Sequence, residues 1–249
     1  MNDIISEENL DIESALREGC KEFMGIWFRV KSGVLIPRKE TELLARTAIG
    51  VLKHIAAERE NHRGVKAGPL RVIDMCCGAG NIACSIAAYV SGVTVWACDL
   101  AEEAVNLATE NVTCLGMSDS VRVFRGDLFS ALPHESIGGL VDAIVCNPPY
   151  ISSGKLTREL AALCRSEPRE AFDGGPYGLK IHEQVSKEAP RWLGPEGVLL
   201  FEFGLGQERQ VKYILERTKL YGNIQFVSNS LAKPRVVTAH LIGKIDPHP

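Results

Sequence analysis

The chain has 249 residues, 45% hydrophobic and 24% charged, enough apolar material for one large α/β domain or two small ones, and this composition excludes a disordered or fibrous chain. Its net charge is −3 and it carries no block of consecutive Lys or Arg, so no nucleic-acid partner is expected. The acidic start MNDIISEENLDIES is no signal peptide and no apolar run reaches about 18 residues, so the reading is a cytoplasmic protein with no membrane partner and an open oligomeric state.

In chain order, a short helix is expected near Asp11 to Lys21, followed by two extended pieces, FMGIWFRV (23–30) and GVLIP (33–37). A helix from Glu40 to Ala57 carries Leu44, Ala48, Val51 and Ile55 at helical spacing. The polar stretch from Ala57 to Pro69 reads as a linker, dividing an N-terminal extension (1–58) from the main domain (59–249). Strand and helix then alternate: strand LRVIDMCC, turn GAGN, helix IACSIAAYV, strand VTVWACDL, helix AEEAVNLATENVTCLG, and strands VRVFRGDLF and LVDAIVCN. After an irregular insertion come helix GLKIHEQVSKEAPRWL, strand GVLLFEFG, helix QERQVKYILERTK and strands IQFVSNS and RVVTAHLIG. Apolar runs that alternate with amphipathic helices predict a doubly wound, mostly parallel α/β sheet. The last two strands have no helix between them and are expected to pair antiparallel at one edge. The eight cysteines (20, 76, 77, 84, 98, 114, 146, 164) contain no C-x-x-C pair and read as reduced thiols, with no metal expected.

In such a sheet, ligands bind beyond the carboxyl ends of the strands. The first main strand ends in Asp74-Met75-Cys76-Cys77-Gly78-Ala79-Gly80-Asn81, where two glycines permit a tight turn and Asp74 can accept hydrogen bonds. The second ends at Asp99 and Leu100, a carboxylate suited to ribose hydroxyls, although Asp99 also reads as a helix N-cap. The third ends in Gly126-Asp127-Leu128-Phe129, an acceptor for an adenine amino group beside an aromatic able to cover the ring. Ala83 stands where a dinucleotide turn has its third glycine, so a smaller cationic cofactor, S-adenosylmethionine, fits better than a pyrophosphate.

The fourth strand delivers Asn147-Pro148-Pro149-Tyr150 to the same rim. The Asn147 side-chain oxygen and the Pro148 carbonyl can take the hydrogens of a planar nitrogen, while Tyr150 stacks on its plane. Glu167 is the candidate for holding or accepting from such a group, with an N-cap or a loop tie as its alternative. His54 and His182 lie on helical patterns and read as surface or core fillers.

With these residues in hand, the chain resembles the HemK/PrmC family of class I S-adenosylmethionine-dependent methyltransferases, which methylate a glutamine side-chain amide in peptide-chain release factors. EFMGIWFRVKSGVLIPRKETELL is similar to the family's hairpin and P-R-x-E-T-E signature, in which Arg38 and Thr41 are expected at the cofactor. The stretches DMCCGAGNIACSIA, CDLAEEAVNLATENV, GDLF, CNPPYI, SEPREAFDGGPYGLKIHEQV and FEFGLGQ follow in the family's order. The resemblance implies the cofactor, a seven-stranded sheet with an antiparallel last strand, and Asn147 to Tyr150 as the clamp on the substrate amide. Cys76 replaces the first glycine of the cofactor turn, so the backbone there is expected to avoid positive φ. Tyr177 replaces the usual acidic residue after DGG, on the substrate side of the cleft.

Only 36 residues precede Pro37, where release-factor enzymes carry a helical substrate-gripping domain that this chain is expected to lack. The first expectation is therefore an N-methyltransferase acting on a free small molecule with an amide or guanidinium group, such as arginine or glutamine, beside an acid-rich rim of Glu167, Asp173 and Glu202. The alternatives are release-factor glutamine methylation and a non-catalytic cofactor-binding scaffold. DNA adenine methylation ranks last, against the acidic charge.

Overall fold

The computed structural model describes residues 2–63, 68–137, 140–156 and 166–243. The Cys164 thiol lies outside them. Helix α1 (Asn2–Glu18) leads into an antiparallel hairpin of β1 (Cys20–Phe23) and β2 (Ile26–Arg29). FMGIWFRV is thus not one extended piece. Met24 (φ 56°) and Gly25 (φ 77°) make the two-residue turn with both central residues left-handed, the geometry that suits strand twist. The Tyr89 hydroxyl donates to the Met24 carbonyl at 2.6 Å and the Met24 N–H donates to Glu42 at 3.1 Å, which docks the turn on the main body.

GVLIP forms no strand either. The Gly33 N–H donates to the Ser166 carbonyl at 2.8 Å and the Ile36 N–H to Glu167 Oε1 at 2.8 Å, so these donors serve a loop contact instead of a ladder. Helix α2 (Glu42–Arg63) extends beyond its expected end into the stretch read as a linker; residues 64–67 lie outside the described range.

The main sheet contains β3 (Leu70–Met75), β4 (Val93–Asp99), β5 (Val121–Arg125), β6 (Val141–Cys146), β7 (Leu193–Glu202), β8 (Tyr221–Ser228) and β9 (Pro234–Leu241). Their order is β5-β4-β3-β6-β7-β9-β8. The first five run parallel, and β9 runs antiparallel to both β7 and β8. The antiparallel pairing expected of the last two strands is present, with β9 inserted beside β7 and β8 left at the rim. Helices α3 (Asn81–Tyr89), α4 (Glu102–Cys114), α5 (His134–Ile137), α6 (Lys180–Glu188) and α7 (Glu208–Thr218) are among those that flank the sheet.

Side chains alternate across a strand, and here both faces are covered. Val72, Val95, Ala143, Val145, Val198 and Leu200 pack against Leu44, Leu52 and Ile86 on one side. Ile73, Trp96, Ile144, Leu199 and Phe201 pack against Val185, Val211 and Leu215 on the other. That double burial explains why the strands read as continuous apolar runs. Among the described residues no helix is long and apolar enough to cross a membrane.

The strand order reverses between β3 and β6. Met75 is the register partner of both Cys98 and Cys146, so the turn after β3 and the segment after β6 leave the sheet side by side. A switch point of this kind opens a crevice at the carboxyl ends.

Candidate active site

That crevice is a cleft of about 790 Å³, walled by Val34, Gly78, Asp99, Leu100, Asp127 and Leu128, with Cys76, Asn147 and Pro149 also at its surface. The three strand ends therefore meet Asn147 and Pro149 in one space, whereas Pro148 and Tyr150 do not line it and the Tyr150 hydroxyl is tied to Glu202 and Arg235 instead. Val34, Leu35 and Glu103 also line it. Sequence reasoning missed these, and for Val34 the signal was an apolar run that had no strand to pair with.

Two turns shape the floor. Cys76 adopts φ 59°, which corrects the expectation that a non-glycine residue here avoids the left-handed region. The chain holds it there because the next residue's N–H, that of Cys77, donates to the Cys98 carbonyl at 3.0 Å, so the turn is fixed from both strands. At Gly80 (φ 77°) an added Cβ would stand 3.2 Å from the Ala108 side chain, so glycine lets α4 pack against the turn. Asn81, buried, begins α3 and its carbonyl accepts the Ser85 hydroxyl at 2.7 Å.

The acidic residues divide. Asp99 is half-buried at the cleft; its Oδ2 accepts the Gly78 N–H at 2.9 Å and its Oδ1 the Ala101 N–H at 3.0 Å. Burial pushes the Asp99 carboxyl above the usual range, against those backbone N–H groups. Asp74 lies beneath the turn instead of on the cleft wall. Its Oδ2 accepts the Ala83 N–H at 2.9 Å, tying the first turn of α3 to β3, and its Oδ1 is buried without a hydrogen-bond partner among the described residues. Burial pushes its pKa up to about 8. Asp127 is exposed at the rim.

Phe129 departs from expectation. Leu128 takes φ 47° and faces the cleft, while Phe129 turns into the core and stacks on Trp192 with ring centroids 5.3 Å apart. The aliphatic Leu128, and not the aromatic, is the wall.

Glu167 and Arg38 are brought to one another. Arg38 Nη2 donates to Glu167 Oε2 at 2.5 Å, Glu167 Oε1 accepts the Ile36 N–H, and Arg38 Nη1 donates to the Ile36 carbonyl at 3.1 Å. With both oxygens used, Glu167 is the loop tie. Asp173 accepts Ser153 Oγ at 2.6 Å, the Gly175 N–H at 3.0 Å and Arg169, and is held below the usual carboxylate range, first by the Ser153 hydroxyl. Tyr177 stands 84% exposed at the mouth.

Behind Asn147 sits a buried polar cluster. Asn147 Nδ2 donates to Thr41 Oγ1 at 3.2 Å, and neither Asn147 Oδ1 nor the Pro148 carbonyl accepts a hydrogen bond among the described residues. Glu202, 1% exposed, accepts the Tyr150 hydroxyl at 3.3 Å and Arg235 Nη2 at 3.3 Å, both on Oε1. Arg235 also donates to the Tyr150 oxygen at 3.0 Å, with its guanidinium carbon 5.4 Å from the ring centroid. Burial pushes the Glu202 carboxyl up to about 7, with the Arg235 charge and then the Thr41 hydroxyl pulling down. Burial likewise raises the Tyr150 phenol. His182 is buried, bonds the Glu202 carbonyl through Nε2 at 2.9 Å, and is pushed down to about 4 by burial. Arg235 escaped the sequence reading, although an arginine inside an apolar strand run signals a buried counter-charge.

A family model described as "Methyltransferase small domain" matches residues 62–175. The chain is 32% identical over 234 residues to a release factor glutamine methyltransferase of Gloeobacter violaceus, covering 94% of this chain and 76% of the relative. The chain belongs to the HemK/PrmC family. A ribosomal protein uL3 glutamine methyltransferase of Bradyrhizobium diazoefficiens is 33% identical over 184 residues, 74% of this chain and 55% of that one. The N-terminal domain of human METTL16, crystallised in complex with SAH, shares the fold at 18% identity, with a TM-score of 0.59 and coverage of 92% and 82%.

As a HemK/PrmC member the chain is an S-adenosylmethionine-dependent N-methyltransferase. The cleft fits that cofactor. An added Cβ at Gly78 would meet no atom within 4 Å, so the turn leaves its face open to the cleft, and Asp99 with the apolar Leu100 and Leu128 provides an acceptor between two apolar walls.

Proposed function

We propose that the chain methylates the side-chain nitrogen of a glutamine in a protein, with a peptide-chain release factor as substrate. S-adenosylmethionine, when bound, supplies the electrophilic methyl group. Asn147 carries the reading: its amide nitrogen is committed to Thr41, so its Oδ1 and the adjacent Pro148 carbonyl stand as two acceptors for the two N–H bonds of a primary amide. Fixing both hydrogens directs the amide nitrogen at the methyl donor, and the reaction replaces one N–H by N–CH₃ with loss of that proton. Tyr150 and Pro149 flank the clamp, and Tyr177 belongs to the substrate side.

The expectation of a free small-molecule substrate is corrected. The relatives that match most of the chain are named for glutamines in release factors, and another for one in a ribosomal protein. The acid-rich rim invoked for a guanidinium is also spent internally, on Arg38 and Ile36 by Glu167, on Ser153 and Arg169 by Asp173, and on Arg235 and Tyr150 by Glu202.

Asp99 is assigned to the cofactor ribose. Asp99→Ala is expected to weaken S-adenosylmethionine binding by about 1–3 kcal/mol, roughly five- to 150-fold, because buried hydroxyls lose their acceptor. An unchanged dissociation constant by calorimetry refutes the assignment.

The function is tested by labelled methyl transfer to intact release factors, ribosomal protein uL3, free arginine and free glutamine in parallel, with mass spectrometry of the labelled protein. Label on a release-factor glutamine is the expected result. Label confined to a free amino acid, or to uL3, overturns it.

A further inference from the structure

Asn147 works as a clamp only if its amide is turned the right way round. A hydroxyl beside it can impose either sense: Thr41 Oγ1 can accept from Nδ2, or it can donate its one proton to Oδ1 and occupy the oxygen the substrate needs. What decides is where the Thr41 proton goes. Glu202 lies level with Asn147 across the β6–β7 pair, since Cys146 is the register partner of Phe201. Its Oε1 is taken by Tyr150 and Arg235, whereas its Oε2 is buried and accepts no well-formed hydrogen bond among the described residues. Thr41 Oγ1 lies 3.2 Å from Asn147, the residue level with Glu202, and both Thr41 and Glu202 are buried; the hydroxyl is among the groups that pull the Glu202 pKa down. Once ionised, above about pH 7, this buried oxygen has spare lone pairs and draws that proton, and Thr41 Oγ1 is left as acceptor only.

We propose that Glu202, clamped by Arg235, is a positioning residue for methyl transfer: it draws the Thr41 hydroxyl toward itself, so that Asn147 gives its nitrogen to Thr41 and its oxygen to the cleft, and it holds the Tyr150 hydroxyl at the same time. The carboxylate is delivered by β7 and its counter-ion by β9, where Val236 pairs with Glu202 and the Arg235 carbonyl accepts the Phe203 N–H at 3.0 Å. Neither residue touches the cleft. The inference rests on the reading that Asn147 accepts the substrate amide.

The test compares Thr41→Val, which keeps the shape and removes the hydroxyl, with Thr41→Ser, which restores it, and with Glu202→Gln, which removes the charge. In the transfer assay on release factor, Thr41→Val and Glu202→Gln are expected to lower kcat by about tenfold or more, with cofactor affinity held within about threefold. Thr41→Ser is expected to recover most of the loss. A nitrogen-15 NMR spectrum of the unliganded protein reads the same contact without substrate: the Asn147 side-chain NH₂ resonances shift in Thr41→Val and Glu202→Gln and return in Thr41→Ser. If the wild type labels no release factor, the proposed function fails, and the NMR comparison alone decides the positioning. Unmoved Asn147 resonances in Thr41→Val and Glu202→Gln overturn the inference, as does full kcat in Thr41→Val.

Discussion

Replacing Asn147 by alanine is expected to cut methyl transfer by roughly a hundredfold to a thousandfold, the scale seen when one fixed acceptor or donor is removed from a reacting centre. S-adenosylmethionine affinity should stay within a few fold, because Asp99, proposed for the ribose, ends β4 and the turn at Gly78 follows β3, neither belonging to β6. The physical reason is orientation. An amide nitrogen is a poor nucleophile whose lone pair is delocalised into its carbonyl, and only a geometry that fixes both hydrogens holds it in line with a methyl donor. Paired measurements of kcat and of cofactor binding check the point. Turnover near that of the parent would dismiss the clamp, and a matching collapse of cofactor affinity would reassign Asn147 to the cofactor.

The second large effect concerns stability. Arg235 is the counter-charge of a carboxylate that is almost wholly buried, and Arg235→Met keeps most of the side-chain volume while stranding Glu202. Removing one member of a buried pair costs about 3–5 kcal/mol, a large share of the 5–15 kcal/mol that typically holds a domain together. The cost depends on pH in a definite direction. The folded pKa of Glu202 is raised from 4.5 to about 7, so its contribution to stability is fully present below 4.5 and is lost as pH rises through 7. Without Arg235 that pKa rises further. At pH 5 the carboxyl is mostly neutral in both proteins and the difference is small; above pH 7 the variant must bury an uncompensated charge, and the difference is full. Urea titrations at pH 5, 7 and 9 should show the gap widening with pH. A gap that is constant, or that narrows, would mean that Arg235 stabilises through packing alone.

The strand ends were legible because two independent patterns agree there: apolar runs buried on both faces stop at residues that can accept hydrogen bonds. Asp99, Asp127 and Asn147 reach one cleft as expected, since parallel strands end on the same side. Other features were hidden because they depend on a backbone angle or a distant partner. GDLF does not say whether Leu128 or Phe129 faces the ligand; the positive φ of Leu128 decides it. Glu167 looked available beside a cleft, yet its two oxygens meet Arg38 and Ile36, about 130 residues away in the chain and invisible to local pattern. GVLIP had strand composition but no neighbouring strand to bond. The cluster behind Asn147 was half visible, its carboxylate read as rim and its arginine unread.

The placement of β9 between β7 and β8 sets an order of assembly. During synthesis β8 emerges first, but its seat in the sheet does not exist until the following strand has docked, so it must wait with its hydrogen-bonding edge unsatisfied. The same late strand carries Arg235 to Glu202. A nascent polypeptide that has already closed the parallel half of its sheet therefore still lacks the counter-charge of Glu202 until β9 docks.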